Sequence, residues 1–185
     1  MPKRKADLSI EFALLGFLQQ QPLHAYEIYQ QLHASQALGA VWHVKQAHLY
    51  AMIDRLEAAA LLRAAVVPQE ARPAKHLLHL TGTGRTAFER WIRTPVAHGR
   101  DLRIEFLAKL FWAQRESAGC AVELIAQQRA LCETWLRGLQ AEREALDQGD
   151  QFAALVLLFR IGQTEAMLRW LDACAATITP DLVHD

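Results

Sequence analysis

No run of about 18 uncharged apolar residues occurs in the chain, so no membrane-spanning helix is expected. Cysteine is scarce: Cys120, Cys132 and Cys174 are scattered, odd in number and without metal-ligand spacing. They read as small apolar helix residues in a reducing compartment, which points to the cytoplasm. The opening Met1-Pro2-Lys3-Arg4-Lys5 is basic, but the Leu8 to Leu18 segment is interrupted by Glu11 and has no small-residue cleavage site. No signal peptide is expected. Internal repeats and low-complexity tracts are missing too. Net charge is also lacking, because 20 Lys and Arg cancel 20 Asp and Glu. That balance hides a division. Before residue 101 there are twelve Lys/Arg against seven Asp/Glu, and from there on eight against thirteen. A basic half joined to an acidic half suggests that the first meets a polyanion and the second does not.

What is present is a chain of 185 residues with 52% hydrophobic side chains, enough for a sizeable core and too apolar for global disorder. Leu8, Phe12, Leu15 and Leu18 fall at helical spacing, with Asp7 or Ser9 as a cap and Pro22 as a stop. Ala25, Ile28, Tyr29 and Leu32 mark a short second helix. Gly39 then breaks the periodicity, and Trp42 is an anchor. A third helix carries Leu49, Met52, Ile53, Leu56 and Ala60 as its inner stripe. Two strand-like runs follow, "LLRAAVV" and "KHLLHL", separated by a polar tip that holds Pro68 and Pro73. Period two puts Leu62, Ala64 and Val66 on one face and Arg63 on the other. A further helix shows Phe88, Trp91 and Ile92 on one side. Three helices, a hairpin and a helix are the order of a winged helix-turn-helix, whose third helix enters the major groove with the hairpin beside it.

Pro95 and Gly99 mark a domain boundary, with residues 1–95 as the winged helix-turn-helix and 100–185 as an all-α helical dimerisation domain. The expected class is mainly α. Ile104, Leu107, Leu110 and Phe111 lie inside one C-terminal helix, and Leu124, Leu131, Trp135, Leu139 and Leu146 line a longer one. The last helix is apolar around most of its circumference, which calls for neighbours on several sides and hence for a second subunit. The expected interface is Leu107, Phe111, Leu155, Phe159, Met167, Trp170 and Leu171.

The outer face of the third helix holds the chemistry. Lys45 and Arg55 suit phosphates, Gln46 and His48 suit base edges, Tyr50 joins them, and Ala51 is small enough for close approach. Arg72 and Lys75 at the hairpin tip suit the DNA backbone or the minor groove, and Lys3 and Arg4 form an arm that can touch phosphates. The partner implied is double-stranded DNA. An alternative stays open: a winged-helix module that docks on protein, because Asp54 and Glu57 offset the two cations of that helix. The histidines do not make a metal site. His76 and His79 face opposite sides of a strand, and nothing completes a set around His43 and His48. "GTGRTA" lacks the third glycine of a dinucleotide loop and reads better as a helix-capping turn. No serine elbow, phosphate loop or paired-carboxylate motif occurs, so no catalytic residue and no cofactor are expected. Trp112, Trp135 and Trp170 read either as a pocket for a flat aromatic ligand or as core and interface anchors.

At "LHAYEIYQQL", "HLYAMIDRLEAAALL", "KHLLHLTGTGRTAFERWI" and "LRIEFLAKLFWA" the sequence resembles the PadR family of transcriptional regulators, in particular members with a Vir-type C-terminal domain. The resemblance rests on Tyr26-Glu27, on Leu49-Tyr50, Ile53 and Arg55-Leu56-Glu57, and on Leu80-Thr81 with Gly84-Arg85. Ala25, Ala47 and Ala60 stand where the family usually has glycine. The resemblance implies repression by a two-fold dimer on a palindromic operator, assembled through the C-terminal helices. It also implies, for some relatives, release by phenolic or other aromatic small molecules.

Overall fold

The structure is a computed structural model and describes residues 10–34, 38–69, 72–147 and 149–178; the side chains of residues 67–69 and 72–75 are outside that description. The expected caps Asp7 and Ser9 lie outside the described residues. These divide into two compact units. One runs to Arg93 and takes in Leu102–Trp112; the other joins Thr94–Asp101 to the residues from Ala113 onward.

In the first unit, α1 (Phe12–Leu15) is shorter than its apolar spacing suggests, because a 3-10 turn (Gly16–Leu18) replaces its continuation. The Trp112 ring lies so close to Gly16 that a Cβ there would sit 2.3 Å from it. Only glycine fits. In α2 (Ala25–Ala34), Ile28 and Leu32 are buried, and the His24 N–H donates to Glu27 Oε2 at 2.7 Å, half of a capping box. A single-turn α3 (Leu38–Val41) stands where Gly39 was expected to break the helix. One turn tolerates the glycine because the flanking Leu38 and Trp42 are buried and hold it in place.

Lys45, in extended conformation, opens α4 (Gln46–Ala58), whose Leu49, Met52, Ile53 and Leu56 are buried as a stripe. Its end is a Schellman turn. The Ala60 N–H donates to the Glu57 carbonyl at 2.8 Å and the Leu61 N–H to the Leu56 carbonyl at 3.0 Å. This puts Ala60 in the left-handed region at φ 56°, the one described non-glycine residue with positive φ.

β1 (Leu62–Gln69) pairs antiparallel with β2 (Arg72–Leu80), from Leu62 opposite Leu80 out to Gln69 opposite Arg72, with an irregularity between Val67 and Gln69. The strands run further into the expected polar tip than Pro68 and Pro73 suggested. A two-stranded ribbon has an open edge on each strand, where a missing N–H costs no ladder bond. Near its base Leu62 and Leu78 are buried, but Val66 is exposed, so the expected apolar face holds only where the ribbon touches the body. Leu23 bridges Leu78 through two backbone hydrogen bonds of 3.2 and 2.9 Å and moors the ribbon to the start of α2.

α5 (Gly82–Arg93) buries Phe88, Trp91 and Ile92, as its spacing predicts. α6 (Glu105–Glu116) was expected in the C-terminal domain, but as far as Trp112 it packs with the first unit. The reason is aromatic. Trp112 meets Phe17 edge-on at 5.0 Å and Phe88 at 5.9 Å, while Lys109 sits 5.3 Å from the Trp91 ring and 3.2 Å from Glu105.

The second unit is built on α7 (Ala118–Glu144), capped by Ser117 through the Cys120 N–H at 3.0 Å, and α8 (Gln151–Ile178). They are antiparallel: Leu139 clusters with Leu157 and Ile161, Arg160 pairs with Glu142 at 3.7 Å, and Arg129 reaches Asp172 at 2.7 Å. Gln128, fully buried in α7, accepts from the Val96 N–H at 2.8 Å and donates to the Val96 carbonyl at 3.4 Å. Burial pushes the Cys132 and Cys174 thiols up, which keeps them protonated packing groups. Among the described residues no helix is long and apolar enough to cross a membrane, and no cluster of His, Cys, Asp and Glu can hold a metal.

Alanine in the left-handed region is disfavoured by about 1 kcal/mol relative to glycine. Ala60→Gly is expected to stabilise the protein by about that amount, read as a higher urea midpoint at unchanged slope. A lowered midpoint would contradict the assigned turn.

Candidate nucleic-acid interface

α4 divides its surface sharply. Leu49 and Leu56 are fully buried, while Lys45, Gln46, Ala47, His48 and Tyr50 at its start are all exposed. The helix is held from its inner side, which leaves the first two turns of the outer side free to meet something else. Ala51 is half-buried at the margin of that flank. The acids lie further along. Asp54 is exposed, and Glu57 is engaged at the hairpin base, where its Oε1 accepts from the Ala64 N–H at 2.9 Å. The opening flank therefore carries a cation, an amide, an imidazole and a phenol with no carboxylate among them.

Arg55 differs from the phosphate contact expected of it. Its Nε donates to Glu11 Oε1 at 2.8 Å, and its Nη2 donates to the same oxygen. That hydrogen bond, opposed by desolvation and helped by the Glu11 charge, pushes the guanidinium further up from its usual value. Sequence reasoning had used Glu11 only as an interruption of an apolar run. The signal was there: a single carboxylate at helical spacing within a buried segment needs a partner.

The corner below α4 is closed by Thr81 and Gly84. The Thr81 hydroxyl donates to the carbonyls of Ala60 at 2.8 Å and Leu61 at 3.0 Å and accepts from the Gly84 N–H at 2.9 Å, so it caps α5. A Cβ on Gly84 would lie 1.9 Å from the Leu61 carbonyl oxygen. The "Leu-Thr-x-x-Gly" turn is thus a packing requirement, which explains "GTGRTA" without a dinucleotide. At the ribbon's other side His24 Nδ1 lies 2.7 Å from the His76 carbonyl oxygen. Arg72 and Lys75 fall on β2 opposite Gln69 and Val67, with side chains outside the described set, and Lys3 and Arg4 lie outside the described residues.

Residues 14–90 match the model of the transcriptional regulator PadR-like family, and residues 102–179 match that of the virulence activator alpha C-terminal domain. Between them the two matches omit only the chain ends and residues 91–101. The chain belongs to the PadR-like family of transcriptional regulators. Among solved structures, Bacillus subtilis PadR in complex with operator DNA is 22% identical over 91% of the regulator and 96% of that chain, with a TM-score of 0.44. The same protein in complex with p-coumaric acid is 20% identical over 92% and 99%, with a TM-score of 0.41. The Vibrio cholerae virulence activator AphA is 21% identical over 93% and 99%, with a TM-score of 0.39. No curated protein matches the regulator. At these scores membership rests on the two family models.

The three tryptophans expected either at a pocket or as anchors fall in two different units. Trp112 is taken up by the aromatic core of the first unit, and Trp170 is exposed at the surface of α8. Trp135 lines a cavity of about 650 Å³ within the second unit, with His98, Thr134, Arg160, Gln163 and Met167 around it. The expected interface also changes. Phe111 and Leu171 are buried within their own chain and have no surface to offer a partner, and Leu107 is half-buried. Met167 belongs to the cavity wall. Leu155 and Phe159 are 63% and 68% exposed, and sequence reasoning missed their neighbour Phe152, at 76%.

Proposed function

We propose that the regulator is a cytoplasmic repressor that binds double-stranded DNA as a homodimer on a palindromic operator. The observation that carries this is the free, carboxylate-free opening flank of α4 on a helix whose opposite stripe is buried. In the major groove Gln46 and His48 read base edges, Lys45 meets a phosphate and Tyr50 packs beside them. Arg72 and Lys75 extend the contact from the hairpin, and Lys3 and Arg4 add an arm along the backbone. A protein-docking role for the same fold has less support. One of the two acids that motivated it, Glu57, is occupied at the hairpin base.

Two half-sites about 34–36 Å apart are expected, one per subunit. Binding a duplex selected by the protein from a random library should weaken about 10³-fold or more between 50 and 200 mM salt. Lys45→Ala should weaken all duplexes alike and lower the salt slope by about 1, whereas Gln46→Ala should change which bases are preferred. No enrichment of any duplex at 50 mM salt would reject the reading.

The partner surface is the stripe Phe152, Leu155, Val156 and Phe159 on α8, opposite the residues that pack on α7. Its i, i+3, i+7 spacing suits a second copy laid along it, with Trp170 further down the helix. Leu155→Glu combined with Phe159→Glu is expected to turn a dimer into a monomer in sedimentation equilibrium; an unchanged mass would rule this surface out.

A flat aromatic effector suits the Trp135 cavity, with indole and Met167 against the ring and Arg160, Thr134 and Gln163 for a polar substituent. Phenolic acids should quench tryptophan emission in the wild-type protein and lose that effect in Trp135→Phe. Equal quenching in both would place the ligand elsewhere.

A further inference from the structure

Glu11 is 6% exposed, at the start of α1, and its Oε2 is buried without a hydrogen-bond partner among the described residues. A buried carboxylate costs several kcal/mol of desolvation, and an apolar side chain of similar size would suit the site at least as well. What the carboxylate gains is one partner, 44 residues away on α4: Arg55, gripped at Nε and Nη2 by a single oxygen. Such a two-point contact fixes a guanidinium in direction as well as in place.

We infer that Arg55 is a positioning residue for the recognition helix and not one of its phosphate contacts. Three observations point the same way. The charge of Arg55 is already neutralised by Glu11. Arg55 lies in the last turns of α4, beyond the exposed flank from Lys45 to Tyr50. The pair ties α4 to α1 from the side of the helix that its apolar stripe does not hold. Leu49, Met52, Ile53 and Leu56 hold the helix by its inner face, and the Glu57–Ala64 bond and the Thr81 corner hold its end. The Glu11–Arg55 contact adds a directional tie on the side the stripe leaves open, so that Gln46 and His48 meet the base edges at one angle.

This inference rests on the DNA-binding reading, and the experiment separates the two. Glu11→Gln, Arg55→Gln, Arg55→Lys and the Glu11→Gln/Arg55→Gln double variant are compared with the wild-type protein. The probes are a duplex enriched from a random library by the wild-type protein and a scrambled duplex, across a salt series. A positioning role predicts that each variant loses about tenfold of its preference for the enriched duplex while its salt slope stays at the wild-type value. The double variant should be no worse than either single one. A phosphate contact predicts a slope lower by about 1 in Arg55→Gln, with Glu11→Gln and Arg55→Lys close to wild type. That pattern would overturn the inference and leave the DNA-binding reading standing. If the wild-type protein enriches no duplex, the reading itself fails. Thermal melts come first, and should the Gln variants melt below the assay temperature, Arg55→Lys decides. It keeps the charge but not the two-point contact, so wild-type preference in it overturns positioning.

Discussion

The carbonyl end of α4 is the joint on which the first unit depends. There the Leu61 oxygen accepts from the Thr81 N–H and hydroxyl, and Gly84 comes so close that no side chain can intervene. One oxygen thus fixes the exit of α4, the root of both strands and the entry to α5. Its geometry requires the chain to leave α4 through a left-handed residue, a role that Ala60 fills against its own preference. Together with the Leu23–Leu78 bridge, this attaches the ribbon at its base on both sides, while Val66 further along β1 is exposed.

Elements whose signal is local were legible in the sequence. The stripe of α4, the stripe of α5, the hairpin and the three C-terminal helices all follow from spacing within a dozen residues. What escaped was set by contacts between distant residues. The truncation of α1 depends on a tryptophan almost a hundred positions later, and that same ring draws the first turns of α6 into the first unit. The boundary read at Pro95 and Gly99 was a composition signal. Packing obeys aromatic contacts, which composition does not reveal.

Which apolar residues of α8 are buried and which exposed was not legible, for a related reason. A helix that is apolar all round announces that it has several neighbours, but not which residue meets which. In α8 the stripe Leu157, Ile161 and Leu171 is buried within its own chain, while Phe152, Leu155, Val156, Leu158 and Phe159 stay exposed. The cavity beside Trp135 depends on the Thr94–Asp101 stretch, which Gln128 holds against α7 through both polar groups of the Val96 backbone. A buried glutamine in a long helix gives no hint in the sequence of the loop it will grip.

The same logic decides how charge should be read along α4. Counted on the helix alone, Lys45 and Arg55 are cancelled by Asp54 and Glu57, and the surface looks neutral. In the structure the cancellation is redistributed. Arg55 is neutralised from α1 by Glu11, Glu57 gives one oxygen to a backbone amide of β1 while staying exposed, and Asp54 is exposed toward the far end. The opening turns keep Lys45, and the backbone N–H groups at the start of a helix add positive potential there. Net charge therefore hides that the opening turns of α4 hold a cation and no carboxylate, the two acids of the helix lying nearer its other end.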